Sequence, residues 1–145
     1  MSETNSSKIH IEFPIQGGNF SGAGGASSRI KNVLKQLGIQ YDMIKRVAIA
    51  SYESEMNIVA YATKGKLLVD IEPGEIAITA VDIGPGIPDI EKALQEGYST
   101  ATPLIREMGF GAGLGLPNMK KAADEMVIES VVEEGTTVKM KFRLT

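Results

Sequence analysis

MGFGAGLGLPNMKKAADEM, residues 108–126, places glycines at alternate positions (Gly109, Gly111, Gly113 and Gly115) directly before a segment that reads as an amphipathic helix. Glycine loses more conformational freedom on folding than any other residue, so four of them before a helix call for a return. One return is access. Glycines leave the N–H groups of the helix start free to meet an anion, and the helix dipole adds to the attraction. The competing reading is a flexible loop, and the run alone does not decide between them. The earlier run GGNFSGAGG, residues 17–25, is read as loop. It lacks the Lys-Ser/Thr of a P-loop and the strand-turn-helix spacing of a dinucleotide fold.

The 145 residues suit one domain spanning 1–145. Apolar residues make up 43% and charged residues 23%, enough for a packed core and against disorder. A net charge of −3 argues against nucleic acid as a partner. There is no cysteine, hence no disulfide, thiolate nucleophile or cysteine zinc site. MSETNSSK lacks the apolar core of a signal peptide, and no apolar run is long enough to span a bilayer. The expectation is a soluble cytoplasmic protein without a membrane partner. The single histidine, His10, lies in KIHIEFPI, where Ile9, Ile11, Phe13 and Ile15 alternate with other residues. That period of two predicts a strand with His10 on the face away from the isoleucines, in a structural role.

Along the chain, Ser27 or Ser28 is expected near the N-cap of a helix SRIKNVLKQL that Gly38 closes. A second helix is expected from about Asp42 to Ala62. KLLVDIE and EIAITAVD read as strands joined by a Pro73-Gly74 turn. A short helix begins at Pro88 and stops at Gly97. An irregular stretch, the helix LPNMKKAADE and two strands, MVIESVV and TVKMKFRL, follow. The order β, α, α, β, β, lid, α, β, β predicts an α+β sandwich, with helices on one face of a mixed, mostly antiparallel sheet.

Two more stretches carry candidate chemistry. In VAIASYESEMNIVAYA, residues 47–62, Glu53 and Asn57 stand four apart and project from one helix face. A carboxylate and an amide so placed could hold magnesium and orient a hydroxyl, or form a solvent-exposed polar stripe. In AVDIGPGIP, residues 80–88, Asp82 ends a strand and Gly84, Pro85 and Gly86 follow. Such a turn lets backbone approach a flat ligand, with the aspartate accepting from an amino group; a plain D-x-G turn is the alternative. About two dozen residues with one short helix separate this turn from the glycine run, and connections that long are usually functional lids.

Taken together, E-x-x-x-N on a helix, D-x-G-x-G after a strand, a lid, G-x-G-x-G opening a helix and a late GTT resemble the gyrase and histidine-kinase (GHKL) ATPase superfamily, with its Bergerat nucleotide fold. The resemblance covers about Arg29 to Leu144. Within it the chain is most similar to the small bacterial anti-sigma regulatory factors, serine/threonine protein kinases, and to their switch-kinase branch. The resemblance implies ATP and Mg2+ as cofactors and a lid over about 87–112. It implies Glu53 as general base and Asn57 as magnesium ligand. Asp82 would take the adenine amino group, and Gly84 and Gly86 would let the loop close over the base. Backbone N–H groups of Gly111, Gly113, Leu114 and Gly115 would meet the phosphates. Ser99, Thr100 and Arg106 would reach the γ-phosphate, and Thr137 would support the Asp82 end of the pocket through water. It also implies a STAS-domain anti-anti-sigma-like partner and homodimerisation, for which the N-terminal strand could pair edges.

Phosphoryl transfer needs positioning and charge neutralisation more than covalent groups, which suits a chain without cysteine. The leading expectation is a serine/threonine kinase acting on a STAS-domain antagonist. The alternative is an ATP-binding module that sequesters a sigma factor or another regulator. The catalytic piece of a histidine kinase ranks below both, because no domain bearing a phosphoacceptor histidine accompanies it. A gyrase- or chaperone-type ATPase would need a transducer domain that this length excludes.

Overall fold

A computed structural model of the chain describes residues 8–96 and 115–144. In β1 (Ile9–Gln16), Phe13 and Ile15 are buried while His10, Glu12 and Pro14 are exposed, as the alternation requires. His10 faces outward: its Nδ1 lies 2.6 Å from Asp70 Oδ1 and its Nε2 2.9 Å from Glu12 Oε2. The two carboxylates, Glu12 first, raise the imidazole pKa from its usual value.

Helix α1 (Gly25–Gln36) follows. Its N-cap is Gly24, not Ser27 or Ser28, and no side chain at that position caps it. The cap comes from elsewhere in the chain. The buried carboxylate of Glu55 accepts N–H bonds from Gly24 (3.0 Å), Ala26 (3.2 Å) and Ser27 (3.0 Å). Three orphan donors at a positive helix end are thus met by one anion. At the other end, Gly38 N–H bonds Lys35 O and Ile39 N–H bonds Leu34 O, both at 3.1 Å, a Schellman closure.

Helix α2 (Tyr41–Tyr61) is the spine of the domain. Ile44, Val47, Ser51, Ser54 and Ile58 recur at helical spacing and are all buried. The Ser51 and Ser54 hydroxyls bond back to Val47 O (2.6 Å) and Ala50 O (2.7 Å), so neither is orphaned in the core.

β2 (Lys64–Glu72) and β3 (Glu75–Ile83) form a hairpin through Pro73-Gly74. A single-turn helix, α3 (Ile90–Ala93), comes next. It starts two residues later than Pro88, because the Asp89 side chain caps it by accepting from Lys92 N–H at 3.1 Å. Helix α4 (Gly115–Ala122), β4 (Glu125–Val131) and β5 (Gly135–Arg143) complete the described chain.

The five strands form one sheet in the order β1-β2-β3-β5-β4. Every pairing among the described strands is antiparallel, so the α+β layout stands but the sheet is not mixed. Two of the four pairings are hairpins, which can only be antiparallel. Leu67, Val69, Ile76, Ile78, Met140 and Phe142 project from one sheet face into a core shared with Ile30 and Leu34 of α1, Val47 and Ile58 of α2 and Met119 of α4. The helices therefore lie on one face, and the ends of α2 and β3 lie beside one another at its margin, where Thr63 N–H bonds Ile83 O at 2.8 Å.

Candidate functional site

Glu53 and Asn57 lie one turn apart on α2, both partly buried. Glu55, between them in sequence, faces the other way and is consumed in capping α1. The two glutamates of this helix thus have separate surroundings.

The start of α4 docks on the Glu53–Asn57 stripe. Asn118 Nδ2 donates to Glu53 Oε2 at 2.7 Å. A Cβ placed on Gly115 would stand 3.1 Å from Asn57 Oδ1, so the backbone at the helix start approaches that amide closely. Leu116, Pro117 and Met119 are buried and seat the helix, and Met119 Sδ lies 3.0 Å from the Ser54 hydroxyl oxygen. Arg46 holds the far end: Nε donates to Ala122 O (2.8 Å), one Nη pairs with Asp124 (3.0 Å), and the guanidinium lies 5.9 Å from the Phe142 ring centroid. A cation at a helix C-terminus is also favoured by the dipole.

Asp82 stands near the end of β3 on the sheet face that the helices cover, since it follows Ile76, Ile78 and Ala80 at a period of two. Its Oδ1 accepts the Thr136 N–H at 3.1 Å. Burial raises the carboxyl pKa from its usual value, and the Thr136 N–H works against that rise. Gly65 is its partner on β2. A Cβ on Gly65 would stand 3.1 Å from both Asp82 Cβ and Ile58 Cδ1, so α2 packs tightly on the strand end just beyond Asn57. That contact joins the Asp82 corner to the Glu53–Asn57 stripe.

The turn after Asp82 is latched to the β4–β5 hairpin. Gly84 N–H bonds Glu134 O (3.1 Å), Glu133 N–H bonds Pro85 O (2.7 Å), and Ile87 N–H bonds Ser130 Oγ (2.7 Å). The Ser130 hydroxyl also lies 2.8 Å from Thr136 Oγ1. Gly86 has φ +75°, and a Cβ there would fall 2.5 Å from Val131 O; both conformation and space demand glycine. Gly84 packs against Ala62 at the end of α2.

Thr137 does not sit where the sequence resemblance puts it. It pairs with Val81, and directly opposed residues share a face, so its side chain projects from the sheet face opposite to Asp82. Its neighbour Thr136 is the one turned toward Ser130 and Asp82. Ser99, Thr100, Arg106, Gly111, Gly113 and Leu114, with most of the expected lid, lie outside the described residues. Asn118, Ser130 and Thr136 escaped sequence reasoning. Asn118 had a signal, being a lone amide three residues after the last glycine of the run.

The residues fit a magnesium nucleotide. Glu53 and Asn57 offer hard oxygens, and glycine at 115 lets the helix backbone come close to the Asn57 amide, where a Cβ would crowd its oxygen. Among the described residues no group of three or more His, Asp or Glu could hold a metal unaided. Magnesium commonly binds through one or two protein groups plus substrate phosphates, which matches this sparse set.

The histidine kinase-like ATPase domain family matches residues 23–142. The serine/threonine-protein kinase RsbT of Bacillus subtilis (strain 168) is 38% identical over 112 residues, covering 74% of this chain and 78% of that one. The anti-sigma F factor of Geobacillus kaustophilus (strain HTA426) is 29% identical over 140 residues, 92% of this chain and 90% of that one. Among solved structures, the SiaB-SiaC complex of Pseudomonas aeruginosa contains a chain of the same fold: TM-score 0.58, 13% identity, 98% of this chain and 94% of that chain. Among the described residues no helix is long and apolar enough to cross a membrane.

Proposed function

This chain belongs to the histidine kinase-like ATPase family, and from that premise we propose that it is an ATP-dependent serine/threonine protein kinase of the partner-switching type, working as one domain over 1–145 in the cytoplasm. Similarity to RsbT, named a serine/threonine-protein kinase, supports the transferase part of this reading. Its acceptor is a STAS-domain antagonist, as the sequence resemblance to the anti-sigma regulatory kinases implies. The observation that carries the reading is the Asn118–Glu53 contact. It occupies Oε2 and leaves Oε1 to take a proton from a hydroxyl.

Asp82 accepts the adenine amino group. Thr136 holds the Asp82 carboxylate in place through its N–H. Asn57 would offer its side-chain oxygen to Mg2+, which when bound would supply neutralisation of charge on the phosphates. Glu53 removes the proton of the acceptor serine or threonine as its oxygen bonds the γ-phosphorus and the bond to the ADP oxygen breaks. Backbone N–H groups at Gly115 and the residues before it meet the phosphates.

Similarity to anti-sigma F factors favours a second reading, in which the chain binds ATP and sequesters a sigma factor or another regulator. Wild type and Glu53→Gln, given γ-labelled ATP and a host lysate, separate the two. Gln keeps an acceptor for Asn118 but cannot take a proton. Both proteins should bind magnesium-ATP in calorimetry, while labelling of a small acceptor falls by roughly 100-fold in the variant. Equal labelling by both would remove Glu53 as the base. Binding by both with labelling by neither would favour sequestration.

A further inference from the structure

A second concave surface adjoins Glu53. A cleft of about 280 Å3 runs from Glu53 toward the start of α2, lined by Lys31, Tyr41, Lys45, Ile49 and Tyr52 over a floor of Ile44 and Ala48. Tyr41, Lys45, Ile49 and Tyr52 recur at helical spacing as one stripe of α2, and Lys31 faces it from α1. This stripe is exposed where a helix face would ordinarily be polar: Tyr41 is 69% accessible, Tyr52 45% and Ile49 40%. Both lysines are exposed, and the ion pairs among the described residues engage other cations.

We propose that this cleft docks an acidic, partly apolar segment of the phosphoacceptor protein and delivers the neighbouring serine or threonine to Glu53, an inference that rests on the kinase reading above. The case is continuity and charge. Glu53 lines the cleft and is also the carboxylate that Asn118 holds. An acceptor hydroxyl approaching Glu53 must pass over surface next to it. That surface offers two ammonium groups for carboxylates and two phenol rings with Ile49 for apolar side chains. Tyrosines in a concave centre are common anchors of protein interfaces, and lysines beside them favour an acidic partner through charge complementarity.

The probes are two short synthetic peptides, one with serine among glutamates and leucines, the other with lysines replacing the glutamates. Fluorescence anisotropy measures binding, and amide chemical shifts of the isotope-labelled chain locate it. The acidic peptide should bind, shifting amides around Lys31, Tyr41, Lys45 and Tyr52, and the basic one should not. Lys31→Glu with Lys45→Glu should weaken the acidic peptide roughly tenfold while magnesium-ATP affinity is unchanged. With an identified acceptor, the same double variant should raise KM and spare kcat. No binding of the acidic peptide, or shifts elsewhere, would overturn the proposal. So would a cleft that serves self-association, seen as loss of a dimer in sedimentation with peptide binding unaltered. Failure to bind ATP would sink the kinase reading alone, because the peptide map judges the cleft independently.

Discussion

Asp82 combines two opposing demands. Its position under the helices makes the ionised form costly, and the Thr136 N–H only partly offsets this. A carboxyl whose pKa is raised on folding binds its proton more tightly in the folded state. Its contribution to stability is full below the unfolded value and is lost as pH rises through the folded one. Asp82→Asn keeps the Thr136 bond and removes the charge. The stability of wild type relative to this variant should therefore fall from about pH 4 upward and level off above the folded pKa. Urea midpoints of both proteins across that range measure it; parallel curves would mean that Asp82 is not desolvated. The same variant should bind ATP roughly tenfold or more weakly in calorimetry, because the amide must offer one oxygen to two donors.

At the scale of elements, the two glutamates of α2 make opposite predictions. Glu55→Gln leaves a side-chain NH2 group facing backbone N–H groups at the start of α1, where three bonds now end on one buried carboxylate. Losing a charge-assisted cap of this kind costs about 2 kcal/mol. A lowered urea midpoint with an unchanged slope, and normal phosphotransfer per folded molecule, is the expected result. Glu53→Gln should do the reverse. Alternation in β1, the Pro73-Gly74 hairpin and the long apolar face of α2 were legible because each is a local pattern. What the sequence hid was long-range. Ser27 and Ser28 are good capping residues, yet a carboxylate from α2 won the site, and nothing local marks Glu55 as the cap of another helix. The pair Thr136-Thr137 is likewise ambiguous until register assigns each to a face. Asn118 reads as part of a helix surface until α4 is docked on Glu53.

For the whole molecule, the proposed pocket exists only when four parts of the chain meet: the middle of α2, the end of β3, the β4–β5 hairpin and the start of α4. An unfolded chain presents none of this, so a nucleotide that binds the native state must stabilise it. The linkage is about 2.7 kcal/mol at a ligand concentration 100 times its Kd. The same assembly sets which base is accepted. A carboxylate at Asp82 welcomes the exocyclic amino group of adenine, whereas guanine presents a carbonyl oxygen at that position and the two acceptors repel. Magnesium-ATP should raise the thermal midpoint by several degrees, and magnesium-GTP at the same concentration by much less. Chelating the magnesium should reduce the ATP shift, since Asn57 alone gives the phosphates no positive charge. Thermal melts with each nucleotide, with and without chelator, decide the matter. Equal shifts with ATP and GTP would place the base away from Asp82, and a shift indifferent to chelation would separate Asn57 from the metal.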